Sequence, residues 1–430
     1  MSTKIKNDDA SGRGSVAGFR VPFPARMHGY TEEGIQAVVE VMRNAEGQTQ
    51  GAYMRQFESD FCAYTGATRA FAVDNATNAL RLAAILCRLG PGDEVIIPAY
   101  TFCATAIPFG KTGAKIVWAD IDPKTWVADP ADVERKITPR TKALVVVHLL
   151  GMPVDMPRIM DIASRHNLRV VEDCAQAPGA SIDGKMTGTF GDFGCFSWHG
   201  AKNMTTLGEG GMLSVRSDED AALVAGLRHN GVRAFSYERE RYWVPAMSTV
   251  DIDIDGVWPN NFCLGEAQCA LGSAELRNLD AINNTLIAQA DRIKQGLADT
   301  PEIEFAKIPD GFKHIFHQFV MHFDGSSVGA DRNDLMDLLT RDYGIRAIVQ
   351  YYPLYRFPLF QNLPLTPSET EGGGGGVQVF QKMGFGEHDC PVLERWWDNS
   401  FSFPWWCGIP EDTIDYLVDS TKAAIARLKG

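Results

Sequence analysis

A basic excess, paired cysteines and long apolar runs are all missing from this chain of 430 residues. Lysine and arginine total 41 against 54 aspartates and glutamates, a formal charge of −13. Such a surface lacks the positive field that draws in nucleic acid or anionic lipid, although a locally positive pocket for an anionic small molecule stays compatible with it. The nine cysteines are odd in number and none stands in a CxxC pair. They read as buried free thiols of a reducing compartment, not as a disulfide framework or a metal site. No stretch approaches the roughly 20 apolar residues that cross a bilayer. Residues 1–18 are polar, without the apolar core of a secretory signal, and read as a disordered leader. These absences predict a cytoplasmic protein with small-molecule partners and neither nucleic acid nor membrane.

What is present is enough for a sizeable core: 45% of residues are apolar and 22% charged. Short apolar runs at 94–98, 115–120, 143–148, 169–172, 194–198 and 211–215 read as strands. Helix-like stretches at 57–64, 76–88 and 156–166 are interleaved with them. That alternation predicts an α/β fold, a mostly parallel central sheet with helices on both faces, whose ligand chemistry gathers at the carboxyl ends of strands. From about residue 275 a long helical stretch, a β-rich stretch at 303–323 and helices at 332–343 and 410–428 predict a smaller α+β lobe. The expected organisation is a large domain at 19–275 and a small one at 276–430. Five consecutive glycines, Gly372–Gly376, lack the Lys and Ser/Thr of a phosphate loop and read as a surface loop.

Two residues carry the chemistry. Lys202 lies in CFSWHGAKNMTTLGEGGM (195–212), where a short apolar strand runs into a glycine-rich polar loop. Asp173 lies in LRVVEDCAQAPGA (168–180), at the end of another apolar strand. A lysine amine and a carboxylate at neighbouring strand ends suit pyridoxal 5'-phosphate. The amine forms a Schiff base, and the carboxylate keeps the pyridine nitrogen protonated so that the ring accepts electrons. A solvated surface lysine and a helix-capping aspartate are the bland alternatives.

Read with FESDFCAYTG (57–66), VDNATNAL (73–80), GPGDEVIIPAYTFCATA (90–106), NNFCLGEAQCAL (260–271) and CPVLERWWDNSFSFP (390–404), these segments resemble the DegT/DnrJ/StrS family. That family comprises PLP-dependent sugar aminotransferases with the fold of aspartate aminotransferase, fold type I. The resemblance implies that Lys202 is the Schiff-base lysine and proton shuttle, and Asp173 the partner of the pyridine nitrogen. It further implies that Gln176 bonds the cofactor's phenolic oxygen, that Phe102 stacks on its ring and that Ser197 donates to its phosphate. Ala76 and Thr77 would open a helix whose N–H groups receive the same phosphate; most relatives have glycine at the Ala76 position, where a positive φ would strain alanine. Asn261 matches an asparagine that reaches the phosphate of a neighbouring subunit, so a homodimer with shared active sites is expected.

His199, three residues before Lys202, is a candidate pocket residue. Relatives acting on nucleotide-linked ketosugars often carry an arginine where Cys263 stands, and a His-Tyr-Pro stretch where this chain has VQYYPLYR (349–356). The substitutions resemble the branch that aminates cyclitols or makes aminohydroxybenzoate, with Tyr355 and Arg356 as candidate substrate contacts. The implied reaction moves an amino group from glutamate or glutamine to a ketone of a sugar or cyclitol. The alternatives are a UDP- or dTDP-linked ketosugar as acceptor, a PLP-dependent sugar dehydratase, or a non-catalytic regulator.

Overall fold

Seven short strands, most of them buried on both faces, make one sheet: β1 (Arg69–Val73), β2 (Glu94–Pro98), β3 (Lys115–Ala119), β4 (Thr141–Val147), β5 (Arg169–Asp173), β6 (Phe193–Ser197) and β7 (Gly211–Val215). The computed structural model describes residues 18–24, 27–231, 257–361 and 390–429; most of the expected leader and the glycine run at 372–376 lie outside the described residues. The strand order is β1-β7-β6-β5-β4-β2-β3. Pairs β2/β3, β2/β4, β4/β5 and β5/β6 are parallel, and β7 alone runs against its neighbours β1 and β6. The mostly parallel sheet expected from the apolar runs is what forms. Residues Ala143 to Val147 are all buried, as a strand covered on both faces requires.

The helices that matter for the site are α1 (Glu32–Asn44), α2 (Ala52–Thr65), α3 (Ala76–Leu86), α4 (Met156–His166), α5 (Glu266–Gly296), α6 (Arg332–Tyr343), α7 (Pro391–Asn399) and α8 (Glu411–Leu428). Helix α5 starts nine residues earlier than its sequence pattern suggests, at Glu266. Its first turns are buried on nearly all sides, so no amphipathic stripe marks them. The Glu266 carboxylate accepts from the N–H groups of Gly51 (2.7 Å), Tyr53 (2.9 Å) and Met54 (3.2 Å) and so caps α2. Gly51 itself has no side chain to do this.

A second, three-stranded antiparallel sheet, β8 (Ile303–Glu304), β9 (Val320–Phe323) and β10 (Ser400–Ser402), packs with α6 and α8 over its own core. Helix α5 runs through two cores: Cys269, Leu276 and Leu279 pack in a cluster with residues of the seven-stranded sheet, and Leu286, Ala290 and Ile293 in that of the three-stranded one. The chain also crosses over at its ends. Val21 packs in the small core, while Leu393 and Trp396 of α7 pack in the large one.

Candidate active site

Asp173 closes β5 at the carboxyl edge of the sheet and is buried. Thr105, in the turn after β2, donates its hydroxyl to Asp173 Oδ2 (2.7 Å), and the Ala175 N–H donates to Oδ1 (3.0 Å). Because the Thr105 proton is used on Asp173, the 2.9 Å contact between Thr101 and Thr105 hydroxyls has Thr101 as donor. Burial pushes the Asp173 carboxyl above the ordinary range; the two hydrogen bonds and the Lys202 charge pull it back. A cation placed against this buried carboxyl would favour its ionised form.

Lys202 sits on the loop joining β6 to β7. Trp198 N–H donates to Gly210 O (2.8 Å), Thr206 N–H to Trp198 O (3.1 Å) and Lys202 N–H to His199 O (2.9 Å), which folds the loop back on itself. The Lys202 side chain is partly buried, and desolvation brings its amine down to about 8, with the Asp173 charge opposing. A lysine in this range exchanges its proton near neutrality, where an ordinary lysine stays charged.

Helix α3 begins at Ala76. Asn75 caps it by accepting from Asn78 N–H (2.9 Å), leaving the first-turn N–H groups of Ala76 and Thr77 at the exposed end of the helix dipole. Ala76 is an ordinary helical residue, absent from the positive-φ positions, so the strain expected for an alanine here does not arise. The close approach falls on Gly211 instead. A Cβ there would stand 2.9 Å from Ala76 N and 2.7 Å from Asn75 C, so only glycine lets β7 pass the mouth of α3. Ser197 ends β6 beside this turn, its Oγ accepting from His199 N–H (3.4 Å).

Other sequence candidates fall around this centre or away from it. Phe102 precedes the turn that carries Thr105; the residue is 54% exposed and its ring lies 6.0 Å from that of Tyr351. Gln176 is buried; its Oε1 accepts from Leu150 N–H (2.8 Å) and its Nε2 donates to Tyr351 Oη (3.0 Å). His199 is exposed, with Nδ1 accepting from Ala201 N–H (3.2 Å). Asn261 is exposed on a stretch that bridges His229, next to the Phe262 carbonyl that accepts from Asp74 N–H (2.9 Å) just ahead of α3. Tyr355 and Arg356 are turned onto Glu394 of α7: the tyrosine hydroxyl donates to it, and the guanidinium pairs with it while lying 4.9 Å over Trp397. Cys263 accepts from Gln50 Nε2 (3.1 Å), and burial pushes its thiol up to about 11.

A model of the DegT/DnrJ/EryC1/StrS aminotransferase family matches residues 29–371. The chain belongs to this family. A UDP-N-acetyl-3-dehydro-alpha-D-glucosamine 3-aminotransferase of Acidithiobacillus ferrooxidans is 35% identical over 300 residues, 70% of this chain and 74% of that one. An L-glutamine:2-deoxy-scyllo-inosose aminotransferase of Streptoalloteichus tenebrarius is 33% identical over 369 residues, 84% of each chain. Among solved structures, DesV of S. venezuelae superposes with a TM-score of 0.74 at 28% identity, covering 91% of this chain and 94% of that one. The protein is thus an aminotransferase of the sugar and cyclitol group, and pyridoxal 5'-phosphate is the family's cofactor.

The residues present fit that cofactor. A buried carboxylate seeking a cation, an amine near neutrality and an open helix N-terminus beside a glycine cradle are the donor set that a pyridine nitrogen, an aldehyde and a phosphate need. Sequence reasoning missed several residues that hold this set in place. Tyr351 lies between Gln176 and Phe102, its hydroxyl pushed up to about 12 by burial and by Asp173. Glu172, one residue before Asp173, is fully buried and accepts from the N–H groups of Gly188 (2.8 Å), Phe190 (2.8 Å) and Gly191 (2.7 Å). His148 Nε2 lies 2.9 Å from the same carboxylate and donates to it, since its Nδ1 accepts from Val154 N–H (3.0 Å). Those four donors fill the carboxylate of the His148–Glu172–Cys174 cluster, which braces the end of β5. Among the described residues, no helix is long and apolar enough to cross a membrane.

Proposed function

We propose that Lys202 is the residue that binds pyridoxal 5'-phosphate covalently and moves protons during transamination, with Asp173 facing the ring nitrogen. The observation that carries this is the coupled pair itself: a buried carboxylate at the end of β5 and an amine lowered to about 8 on the adjoining loop. When bound, the cofactor supplies the electron sink that lets an amino group leave one carbon and join another. Asp173, held by Thr105 and Ala175, stabilises positive charge at the ring nitrogen. Lys202 accepts and returns the proton at the carbon that carries the amino group. Gln176, held by Leu150, and the exposed ring of Phe102 orient the cofactor. Ser197, Ala76 and Thr77 hold its phosphate. Two lobes dividing within α5 at 275/276, with α7 returned to the large one, would enclose the site.

The acceptor we propose is a compact polyhydroxylated ketone of the cyclitol kind, with glutamate or glutamine as donor. The similar inosose aminotransferase supports it, as does the half-buried thiol of Cys263, tied to Gln50 where a recognition arginine would project. His199 would line the pocket from the Lys202 loop. Tyr355 and Arg356 have their polar groups bonded to Glu394, so their proposed part is to fix the Tyr352–Trp397 wall and thereby the room for substrate. The glucosamine relative favours a nucleotide-linked acceptor as the second reading. A direct comparison decides. With glutamine as donor, kcat/KM for a keto-inositol should exceed that for UDP- and dTDP-linked ketosugars by about tenfold or more, since unmatched polar groups left buried are costly. A preference for either nucleotide-linked ketone reverses the assignment of the acceptor and leaves transamination standing.

The exposed position of Asn261 supports a homodimer in which it reaches the partner's phosphate site. Light scattering should give twice the 47.3 kDa chain mass at assay concentration. Asn261→Ala should weaken cofactor retention about tenfold while the dimer persists, the loss expected for a hydrogen bond to a charged group. A fully active monomer contradicts the shared site.

A further inference from the structure

A line of three buried amides and rings runs behind Lys202. Asn283 of α5 donates from Nδ2 to the Pro178 carbonyl (2.8 Å). Asn203, the residue after Lys202, donates from Nδ2 to Asn283 Oδ1 (2.9 Å). His317, in the segment leading to β9, is joined by Nδ1 to Asn203 Oδ1 (2.8 Å). All three side chains are buried, Asn203 and Asn283 completely.

The direction of this line is not free. A carbonyl oxygen only accepts, so Pro178 forces Asn283 to present Nδ2 to it and Oδ1 to Asn203. Asn203 must then present Oδ1 to His317, which makes the imidazole the Nδ1–H tautomer. The line starts three residues beyond Ala175 on the loop that follows Asp173, passes next to Lys202 and ends in the small lobe. Its far end is itself anchored: Gln318 N–H donates to Leu150 O (3.4 Å), and Leu150 N–H in turn donates to Gln176. The Phe316 carbonyl accepts from Trp405 Nε1 (2.7 Å). Gly179 leaves the space: a Cβ there would lie 2.6 Å from Asn283 Nδ2, and its φ is +88°.

We propose that His317 is a positioning residue for Lys202, acting through Asn203. It ties the Lys202 loop to the small lobe and to the Asp173 loop, so that the amine is held in its desolvated place beside Asp173. The proposal rests on Lys202 being the cofactor lysine but concerns how that lysine is kept reactive. The charged and titratable groups that face the amine are Asp173 from β5 and His317 from the small lobe, with exposed His199 on its own loop. Burial and the Lys202 charge hold His317 well below the ordinary histidine range, so it stays neutral and adds no repulsion.

Two substitutions separate the roles of the ring nitrogens. Asparagine at 317 can place an N–H where Nδ1 stands, whereas glutamine can place one only near Nε2. The readout is the pH dependence of Lys202 acetylation in the full-length protein freed of cofactor, followed by peptide mass spectrometry. The wild-type midpoint should lie near 8. His317→Gln should raise it by about one pH unit and lower kcat about tenfold with KM for the donor little changed, while His317→Asn restores both. Asn283→Ser, which breaks the line without touching Lys202, should move the midpoint in the same direction. A midpoint unmoved in both His317→Gln and Asn283→Ser overturns the proposal, and so does equal failure of the asparagine and glutamine variants. Failure of wild-type Lys202 to capture cofactor under borohydride would instead overturn the assignment of the lysine, which the labelling midpoint does not test.

Discussion

Lys202→Ala is expected to lose turnover by about 10³-fold or more, the scale of a missing proton carrier that also binds the cofactor. In free energy that is roughly 4 kcal/mol of transition-state stabilisation. The cause is specific to this amine. It is lowered to about 8 by desolvation, so near neutrality it exists in both protonation states, as a group must that gives and takes a proton in one cycle. The fold should survive: the loop is held by the Trp198, Thr206 and Asn203 hydrogen bonds, none of which uses the lysine side chain. Three measurements check this: steady-state turnover, the borohydride-fixed cofactor on the 195–212 peptide, and the melting temperature. Near-wild-type turnover by the purified variant would sink the mechanism.

Asp173→Asn is expected to lower kcat by about 10² to 10³, the usual cost of removing one preorganised charge, with KM for the donor changed far less. Asparagine keeps one oxygen for the Ala175 N–H, and its Nδ2 stands where the other oxygen accepted from Thr105, whose hydroxyl can turn to accept instead, so the packing around β5 is retained. What disappears is the negative charge that supports a protonated ring nitrogen. Stability should move the other way. The folded carboxyl is held above its unfolded value, so the native state gains from its protonation at low pH and loses that gain as pH rises through the folded pKa. At pH 7 the wild type freed of cofactor carries that penalty and the asparagine variant does not. The variant without cofactor should therefore melt no lower than the wild type while its kcat collapses. An unchanged kcat, or a large drop in melting temperature, would make Asp173 a structural residue only.

Much of this protein was legible in one dimension because its chemistry is encoded locally. The run at 143–147 is apolar without a break because β4 is covered on both faces, and β7 at 211–215 is likewise buried along its whole length. Lys202 and Asp173 stand in segments whose glycines, apolar runs and polar ends declare a strand leaving the sheet. Family membership then followed from ordered motifs along most of the chain. The supporting contacts were not legible, because each joins residues far apart: Thr105 to Asp173 across 68 positions, His317 to Asn203 across 114, and Gln176 to Tyr351 across 175. A threonine in a turn or a histidine before a strand has many possible partners, and only packing chooses one. The same holds for Arg356, whose charge suggested a substrate but which pairs with Glu394, and for Ala76, which needs no positive φ because the close approach falls on Gly211. Sequence alone determined the reaction class and pointed to the two residues proposed to perform it, since their types and settings suit one chemistry. Tertiary structure decided how deeply they are buried and what holds them, and burial is what moves the amine and the carboxyl from their ordinary values.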